Sequence, residues 1–445
     1  MMKLRIYNTK TLKLEEFKPI KEKEVKMYVC GPTVYDNIHI GNARPVVVFD
    51  TLRRLLEAIG YDVKYVSNYT DVDDKIIKRA HERGIDEFEL TKEMIAAYND
   101  VRTALNAKDL YKTPKVTETM DDIINFIDEL VMNGNAYVKD GDVYFRVASI
   151  DDYGSLSHQN LEDLKAGARV EENDKKESPL DFVLWKQTEM GIKWPTKYSI
   201  GRPGWHSECV VMIKKELGNL IDIHAGGRDL RFPHHENERA QAKALYNSDL
   251  ANYWLHNGML TFGGEKMSKS LGNLVLSKDA IEKHGANTIR WLLLSAQYRD
   301  VLSYTEDTIN NAKKELIKVI NVIKKASLIL NINDYQTDDF DQEHYNHFIE
   351  AMCDDLNTPN AYTHIFEMVK IINQDLRVSG VDYQSLASHL NALTKSLDVL
   401  GITYEVLNLS ADDKKLYLDW QSAKHNKDFD QADRLRNILN SKGIL

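Results

Sequence analysis

The feature that most narrows the fold lies near the start of the chain. An apolar run at residues 25–30 is followed by the loop Gly31-Pro-Thr-Val-Tyr-Asp-Asn-Ile-His-Ile-Gly41, then by a helical pattern from about Asn42. Val48, Leu52, Leu55 and Ile59 recur at helical spacing. Pro45 falls in the first turn, where its missing N–H costs little, and Gly60 offers a stop. A second apolar run at 63–66 and a second helical pattern at 72–83, ending at Gly84, repeat the unit. Strand–helix alternation predicts an α/β fold with a parallel sheet and right-handed crossovers.

From about residue 111 to 203 the alternation breaks, and the stretch reads as an insertion. It holds a helical pattern at 118–132, a strand at 143–147, loops and short elements at 154–169 and a solvated charge run at 171–178. Sheet pattern returns at 220–224. A Gly-rich turn follows (Ala225-Gly-Gly-Arg-Asp229), then a helix at 233–246 and the loop Gly263-Gly-Glu-Lys-Met-Ser-Lys-Ser270. Beyond Ser277 the pattern is helical: an amphipathic Lys-rich run at 309–330, two or three helices at 343–400 and one or two polar helices at 412–444. With 445 residues the chain has room for about three domains.

Two groups of residues carry chemistry. His234 and Glu238 are four apart on a predicted helix, hence on one face, and both are zinc-ligand types. Cys30 ends the first predicted strand, and Cys209 precedes the strand-like run 210–213. The carboxyl ends of parallel strands open onto one crevice, so these four residues can meet there. Singly, each reads more simply as a buried thiol or a polar helix end. The second group is made for phosphate. The His39-Ile-Gly41-Asn42 segment opens a helix whose free N–H groups and dipole favour anions, and Gly41 permits close approach. Lys266 and Lys269, three apart in a Gly-flanked loop, can clamp a pyrophosphate as charge develops on it.

Composition removes other classes. No apolar run approaches the roughly 18 residues of a membrane span. The N-terminus lacks a signal-type apolar stretch, and three scattered cysteines make no disulfide framework, so a reducing, cytoplasmic setting is expected. A net charge of −10 argues against non-specific coating of nucleic acid, although a local basic surface can still hold one.

The two signatures resemble the "HIGH" and "KMSKS" motifs of class I aminoacyl-tRNA synthetases. The wider match is to the cysteinyl-tRNA synthetase family. It covers Cys30-Gly-Pro-Thr-Val-Tyr-Asp36, Asn68-Tyr-Thr-Asp-Val-Asp-Asp-Lys-Ile-Ile77, Gly201-Arg-Pro-Gly-Trp-His206, Phe232-Pro-His-His-Glu-Asn-Glu238, Met267-Ser-Lys-Ser-Leu-Gly-Asn273 and residues 351–359. The resemblance implies a Rossmann-like catalytic core with an inserted connective subdomain, then helical C-terminal tRNA- and anticodon-binding domains. On that basis the chain divides into core (1–110), insertion (111–203), second half of the core (204–270), a stem-contact segment (271–335), a helical bundle (336–402) and a short C-terminal domain (403–445). It also implies one catalytic Zn²⁺ on Cys30, Cys209, His234 and Glu238, and a cysteine pocket that includes Thr70 and Trp205. ATP, with Mg²⁺, is expected at His39, Gly41, Asn42, Gly227, Asp229, Lys266, Ser268 and Lys269. His39, Lys266 and Lys269 are the expected catalytic residues, tRNA(Cys) is the expected partner, and a monomer is implied.

The implied reaction joins cysteine to ATP as cysteinyl-adenylate, releases pyrophosphate and passes cysteine to the terminal ribose of its tRNA. Zinc accounts for the rejection of serine, since shape separates such near-isosteres by only about 100-fold, and the insertion is too small for an editing domain. Departures from the family pattern are Asn42 in place of a second histidine, Thr196-Lys-Tyr-Ser199 before the Gly-Arg-Pro-Gly-Trp segment, Cys353 at a usually acidic position, and an end at Leu445 ahead of the segment most members carry. That last point bears on anticodon reading, for which Trp420, Arg434 and Arg436 are candidates. Two other readings share parts of this pattern. One is a ligase that passes activated cysteine to a small amine, as in the mycothiol pathway. The other is a zinc-stabilised RNA-binding module, which has no use for a pyrophosphate clamp.

Overall fold

The computed structural model describes residues 2–160, 176–266, 274–378 and 380–445, with no side-chain description at 265 and 266. Its first long strand, Glu24–Val29, buries Val25, Met27, Tyr28 and Val29. It pairs in parallel with Asp62–Ser67 on one side and Ile221–Gly227 on the other, and Ala251–Asn257 extends the sheet beyond the latter. All four strands are parallel, as the alternation predicts. Such sheets are covered on both faces, which is why these strands read as near-continuous apolar runs.

Helix Ile40–Ala58 makes the first crossover. It starts ahead of Asn42 because His39 serves as its N-cap, with the ring Nδ1 accepting from the Gly41 amide at 3.1 Å. Val47, Val48, Phe49, Leu52, Leu55 and Leu56 bury its inner face. The second helix, Asp74–Arg83, is capped by Asp73 and ends at Gly84 in the left-handed region. The Gly-rich segment expected as a turn at 225–229 is partly strand, since Gly226 and Gly227 still pair with His256 and Asn257. Only Arg228–Leu230 turns.

The insertion forms its own five-stranded antiparallel sheet, in the order Ala136–Lys139, Asp142–Phe145, Phe182–Gln187, Ile200–Pro203, Trp194–Pro195. Helix Met120–Met132 packs with it, in an apolar cluster that also takes Val210, Met212 and Trp254 from the core. Residues 161–175, which hold part of the expected loops and most of the charge run, lie outside the described residues.

Among the described residues beyond Ser277 the regular elements are helices, with one strand as the exception. Leu302–Tyr304 is a strand beside Leu260–Phe262, too short to carry a periodic signature. Helix Glu306–Ile332 leads to a bundle of Gln342–Cys353, Thr358–Asp375 and Tyr383–Leu400. The last pair, Ala411–His425 and Phe429–Ser441, has a small core of Leu409, Tyr417, Leu439 and Ile444 against Leu328. One continuous apolar core joins Val29 and Leu52 of the sheet layer to Trp291, Phe348, Ile365 and Leu393 of the helices. Across it, buried Arg290 donates to Asp50 and to the Leu105 and Leu400 carbonyls. Among the described residues no helix is long and apolar enough to cross a membrane.

Candidate active site and metal centre

Parallel pairing aligns the carboxyl ends of the central strands, and the Cys30 amide donates to the Ala225 carbonyl at 3.1 Å. Cys30 therefore stands at the mouth of the sheet. Cys209 reaches the same point from helix Glu208–Leu217, not from a strand as the run 210–213 suggests. Val210, Val211, Met212 and Ile213 are all buried, so the run 210–213 shows no period to distinguish it from a buried strand. His234 lies in the short kinked turn Arg231–His235, whose Phe232 is non-helical, just before helix Glu236–Tyr246. The regular helix supplies Glu238 but not His234. The two side chains still meet, with His234 Nε2 2.7 Å from Glu238 Oε1.

The four donors converge. Cys30 Sγ is 3.7 Å from Cys209 Sγ and 3.6 Å from Glu238 Oε1, and Cys209 Sγ is 3.7 Å from His234 Nε2. Two sulfurs bound tetrahedrally to zinc at about 2.3 Å stand about 3.8 Å apart, and a sulfur and a nitrogen about 3.6 Å apart. These three edges fit one ion. The His234–Glu238 edge is instead a hydrogen bond, which must open for both groups to turn to a metal. A second overlapping group, Cys30, His224, His235 and Glu238, also gathers its donor atoms within 4.8 Å of one another. Since both groups use Cys30 and Glu238, they describe one centre with alternative partners.

The electrostatics suit a cation. Burial pushes the Cys30 thiol well above its usual range, reinforced by Cys209 and Glu238. The hydrogen bond from Cys30 brings Cys209 down to about 7. Burial works against charge on His234, but Glu238 and Cys209 outweigh it and raise its pKa to about 10. Burial likewise opposes the Glu238 carboxylate, yet His234 and His224 hold it well below the usual range. A divalent ion would displace the protons of Cys30 and His234 and leave two thiolates and a carboxylate around it.

A second layer of residues, given no role by sequence reasoning, fixes these donors. His224 Nε2 meets Glu238 Oε2 at 2.6 Å, so only Oε1 faces the sulfurs. His206 Nδ1 contacts His234 Nδ1 at 3.1 Å, which turns His234 Nε2 inward. His235 Nε2 lies 3.3 Å from Cys30 Sγ, and its Nδ1 continues through His256 to Thr9. Burial, with the neighbouring histidines, takes His206 and His256 down to about 3. Asn68 accepts from the Gly31 amide and donates to Thr70 Oγ1. The period-two rule within parallel strands could have flagged His224, and strand register could have flagged His256. The contacts themselves join separate elements and leave no local mark.

The remaining sequence-predicted residues fall around this centre. Thr70 is buried and bridges Thr33. Trp205 is 42% exposed, and its indole stacks on the His234 ring at 4.6 Å between centroids. Gly41 has a packing reason beyond ligand approach: a methyl group there would sit 2.9 Å from the His39 ring. Asn42 is exposed at the helix start. Gly227 ends its strand, and exposed Asp229 follows in the turn. Lys266 is described by backbone alone, paired with Thr261. Ser268 and Lys269 lie outside the described residues. The described ends of their loop flank the first signature, since Leu260 lies against Gly41, the Ile40 amide donates to the Val275 carbonyl and His39 bridges Leu276.

Comparison with known proteins places the chain in a family. Residues 16–314 match the family of tRNA synthetases class I (C) catalytic domains, and residues 347–405 match the DALR domain. A cysteine–tRNA ligase of Exiguobacterium sibiricum is 47% identical over 99% of this chain and 97% of its own length. One from Geobacillus sp. (strain WCH70) is 46% identical over 100% and 97%. Among solved structures, Mycobacterium tuberculosis methionyl-tRNA synthetase in complex with methionyl-adenylate superposes with a TM-score of 0.64 at 16% identity, covering 85% of this chain and 89% of that one, and so shares the fold. The chain belongs to the cysteine–tRNA ligase family of class I aminoacyl-tRNA synthetases.

Proposed function

We propose that this chain activates L-cysteine with ATP and transfers it to tRNA(Cys), selecting the thiol at the cluster of Cys30, Cys209, His234 and Glu238. The observation that carries this reading is the convergence of those four donors at the carboxyl ends of the parallel strands, beside the helix start that holds His39. The full-length kinship to cysteine–tRNA ligases sets aside the small-amine ligase and the non-catalytic module.

In this reading the positive dipole end of the helix that opens at Ile40 favours the ATP phosphates, and His39, whose Nδ1 is taken by the Gly41 amide, donates to them through Nε2. Lys266 and Lys269 neutralise the departing pyrophosphate, with Ser268, Asn42, Gly227 and Asp229 positioning the nucleotide. Mg²⁺ travels with ATP and is held mainly by its phosphates. The substrate carboxylate attacks the α-phosphorus in line, so the protein positions and stabilises charge rather than forming covalent bonds. Thr70 and Trp205 wall the cysteine pocket, and Asn68 fixes Thr70. Zn²⁺, when bound, supplies a preference for sulfur that a hydroxyl cannot satisfy. Cys30, Cys209, His234 and Glu238 would hold the ion, with Glu238 the weakest of the four because His224 keeps a hold on its other oxygen.

The domain division at 110, 203, 270, 335 and 402 belongs to the same proposal; the DALR match at 347–405 supports the boundaries near 335 and 402. So do a monomeric state and a cytoplasmic location, the latter supported by the free thiols of Cys30, Cys209 and Cys353.

The test is ATP-dependent transfer of labelled cysteine to tRNA, with labelled serine as control. Acid-precipitable cysteine with no serine is the expected result, and equal labelling by both amino acids would overturn the selection argument. The layer behind the ligands has its own test. His224→Ala is expected to weaken zinc binding by about 10- to 100-fold, the usual effect of removing a residue that orients a ligand. Competition with a chromophoric chelator measures it.

A further inference from the structure

We propose that the helical domain carries a second transition-metal site, separate from the cysteine–histidine centre, between helices Gln342–Cys353 and Thr358–Asp375. His344 and His347 are one turn apart on the first helix, and His364 faces them from the second. The His347 ring lies 5.8 Å from His364 and 6.2 Å from His344, centroid to centroid. Two imidazoles bound tetrahedrally to one ion at about 2.0–2.1 Å have centroids about 5 Å apart, so His347, the ring between the other two, must turn to close both gaps. His347 is exposed and is the ring with room to turn. The three histidines line one open cavity of about 510 Å³, with Glu367 at its wall.

The carboxylates around the rings point to ligation rather than to a chance surface cluster. His344 Nδ1 is held by Asp341 at 2.6 Å, and His364 Nδ1 by Glu367 at 2.8 Å. A carboxylate on one ring nitrogen fixes the tautomer that leaves the other as a lone-pair donor, the device that backs metal-bound histidines. Asp341 also meets His389 Nε2 at 3.4 Å, which ties the third helix, Tyr383–Leu400, to the same network. An all-imidazole set without thiols suits Zn²⁺, Ni²⁺ or Cu²⁺ and not Mg²⁺ or Ca²⁺. Exposure and the need for ring rotation make this a weaker, exchangeable site than the buried centre.

The full chain, loaded with zinc at its cysteine–histidine centre, is dialysed against Ni²⁺, and bound nickel is measured by elemental analysis. The expected result is one nickel per chain, lost in the His347→Ala/His364→Ala double variant while cysteine-dependent pyrophosphate exchange is unchanged. Glu367→Gln should keep the site but weaken it by about 10- to 100-fold. Equal nickel in the parent and the double variant overturns the proposal, as does nickel uptake that disappears with Cys30→Ser instead. Because the readout is metal content, its failure leaves the aminoacylation reading untouched.

Discussion

Replacing Cys209 with serine is expected to leave the chain without a full complement of zinc and to lower kcat/KM for cysteine activation by roughly 1,000-fold or more. A site built to bond a particular substrate group typically loses 10⁴–10⁵ in discrimination when that bond is denied, and the loss of the metal removes the bond altogether. Serine keeps the volume of cysteine, and its oxygen is a poor zinc ligand at this pH, so packing around Val210 and Val211 is preserved while the chemistry is not. Cys353→Ser is the control. That thiol is also buried, and burial pushes it up to about 12, but it packs in the helical core and belongs to neither group of converging donors. Zinc content and cysteine-dependent pyrophosphate exchange should both survive its replacement. If Cys209→Ser retains zinc and more than about a tenth of the parent rate, the assignment of Cys209 as a ligand is wrong.

Arg290→Met is expected to cost about 3–5 kcal/mol of stability, because it leaves the Asp50 carboxylate buried and short of its nearest cation. Arg290 and Asp50 are both almost wholly buried, and the same guanidinium also serves the Leu105 and Leu400 carbonyls. Methionine fills the space without replacing any of those donors. The pH dependence has a definite sign. Burial opposes the Asp50 charge, but Arg290 and Arg54 win and hold its pKa below the ordinary value of 3.8. A depressed folded pKa contributes stability that is fully present above the unfolded value and is lost as pH falls through the folded one. The parent should therefore lose this contribution only in acid below about pH 4, and the variant, in which only Arg54 still pairs with Asp50, should lack the share of Arg290 already at neutral pH. Urea unfolding at the two pH values measures both effects, and a neutral-pH difference under about 1 kcal/mol would refute the claim.

The parts of the fold that repeat a period were legible in the sequence. The helix at 40–58 and the strands around Val25 and Val63 announced themselves through spacing and punctuation. The buried helix that carries Cys209 did not, since four consecutive apolar residues look alike in either conformation. Leu302–Tyr304 was too short to see. At the candidate site, Cys30, Cys209, His234 and Glu238 could be grouped from residue type and spacing, and then from the family resemblance, and the structure gathers their donor atoms within 4.8 Å of one another. The histidines behind them were invisible as a set. His206, His224, His235 and His256 come from different segments, and only strand register and a kinked turn make them neighbours. His39 shows a further limit: its place in the phosphate motif could be read, while its use as the cap of its own helix required the backbone.

The apolar core that runs from Val29 to Leu393 has a consequence for how the molecule can be dissected. The catalytic sheet and the DALR-matching helices share one interior, so neither is a self-sufficient fragment. Cutting the chain after helix Glu306–Ile332 would strip the cover from Trp291 and Ile323 and yield a sticky, poorly soluble product. The terminal pair of helices is different, since its few apolar contacts fall mainly on Leu328 and Leu409. Protease nicking should therefore begin there and leave the rest standing as one piece.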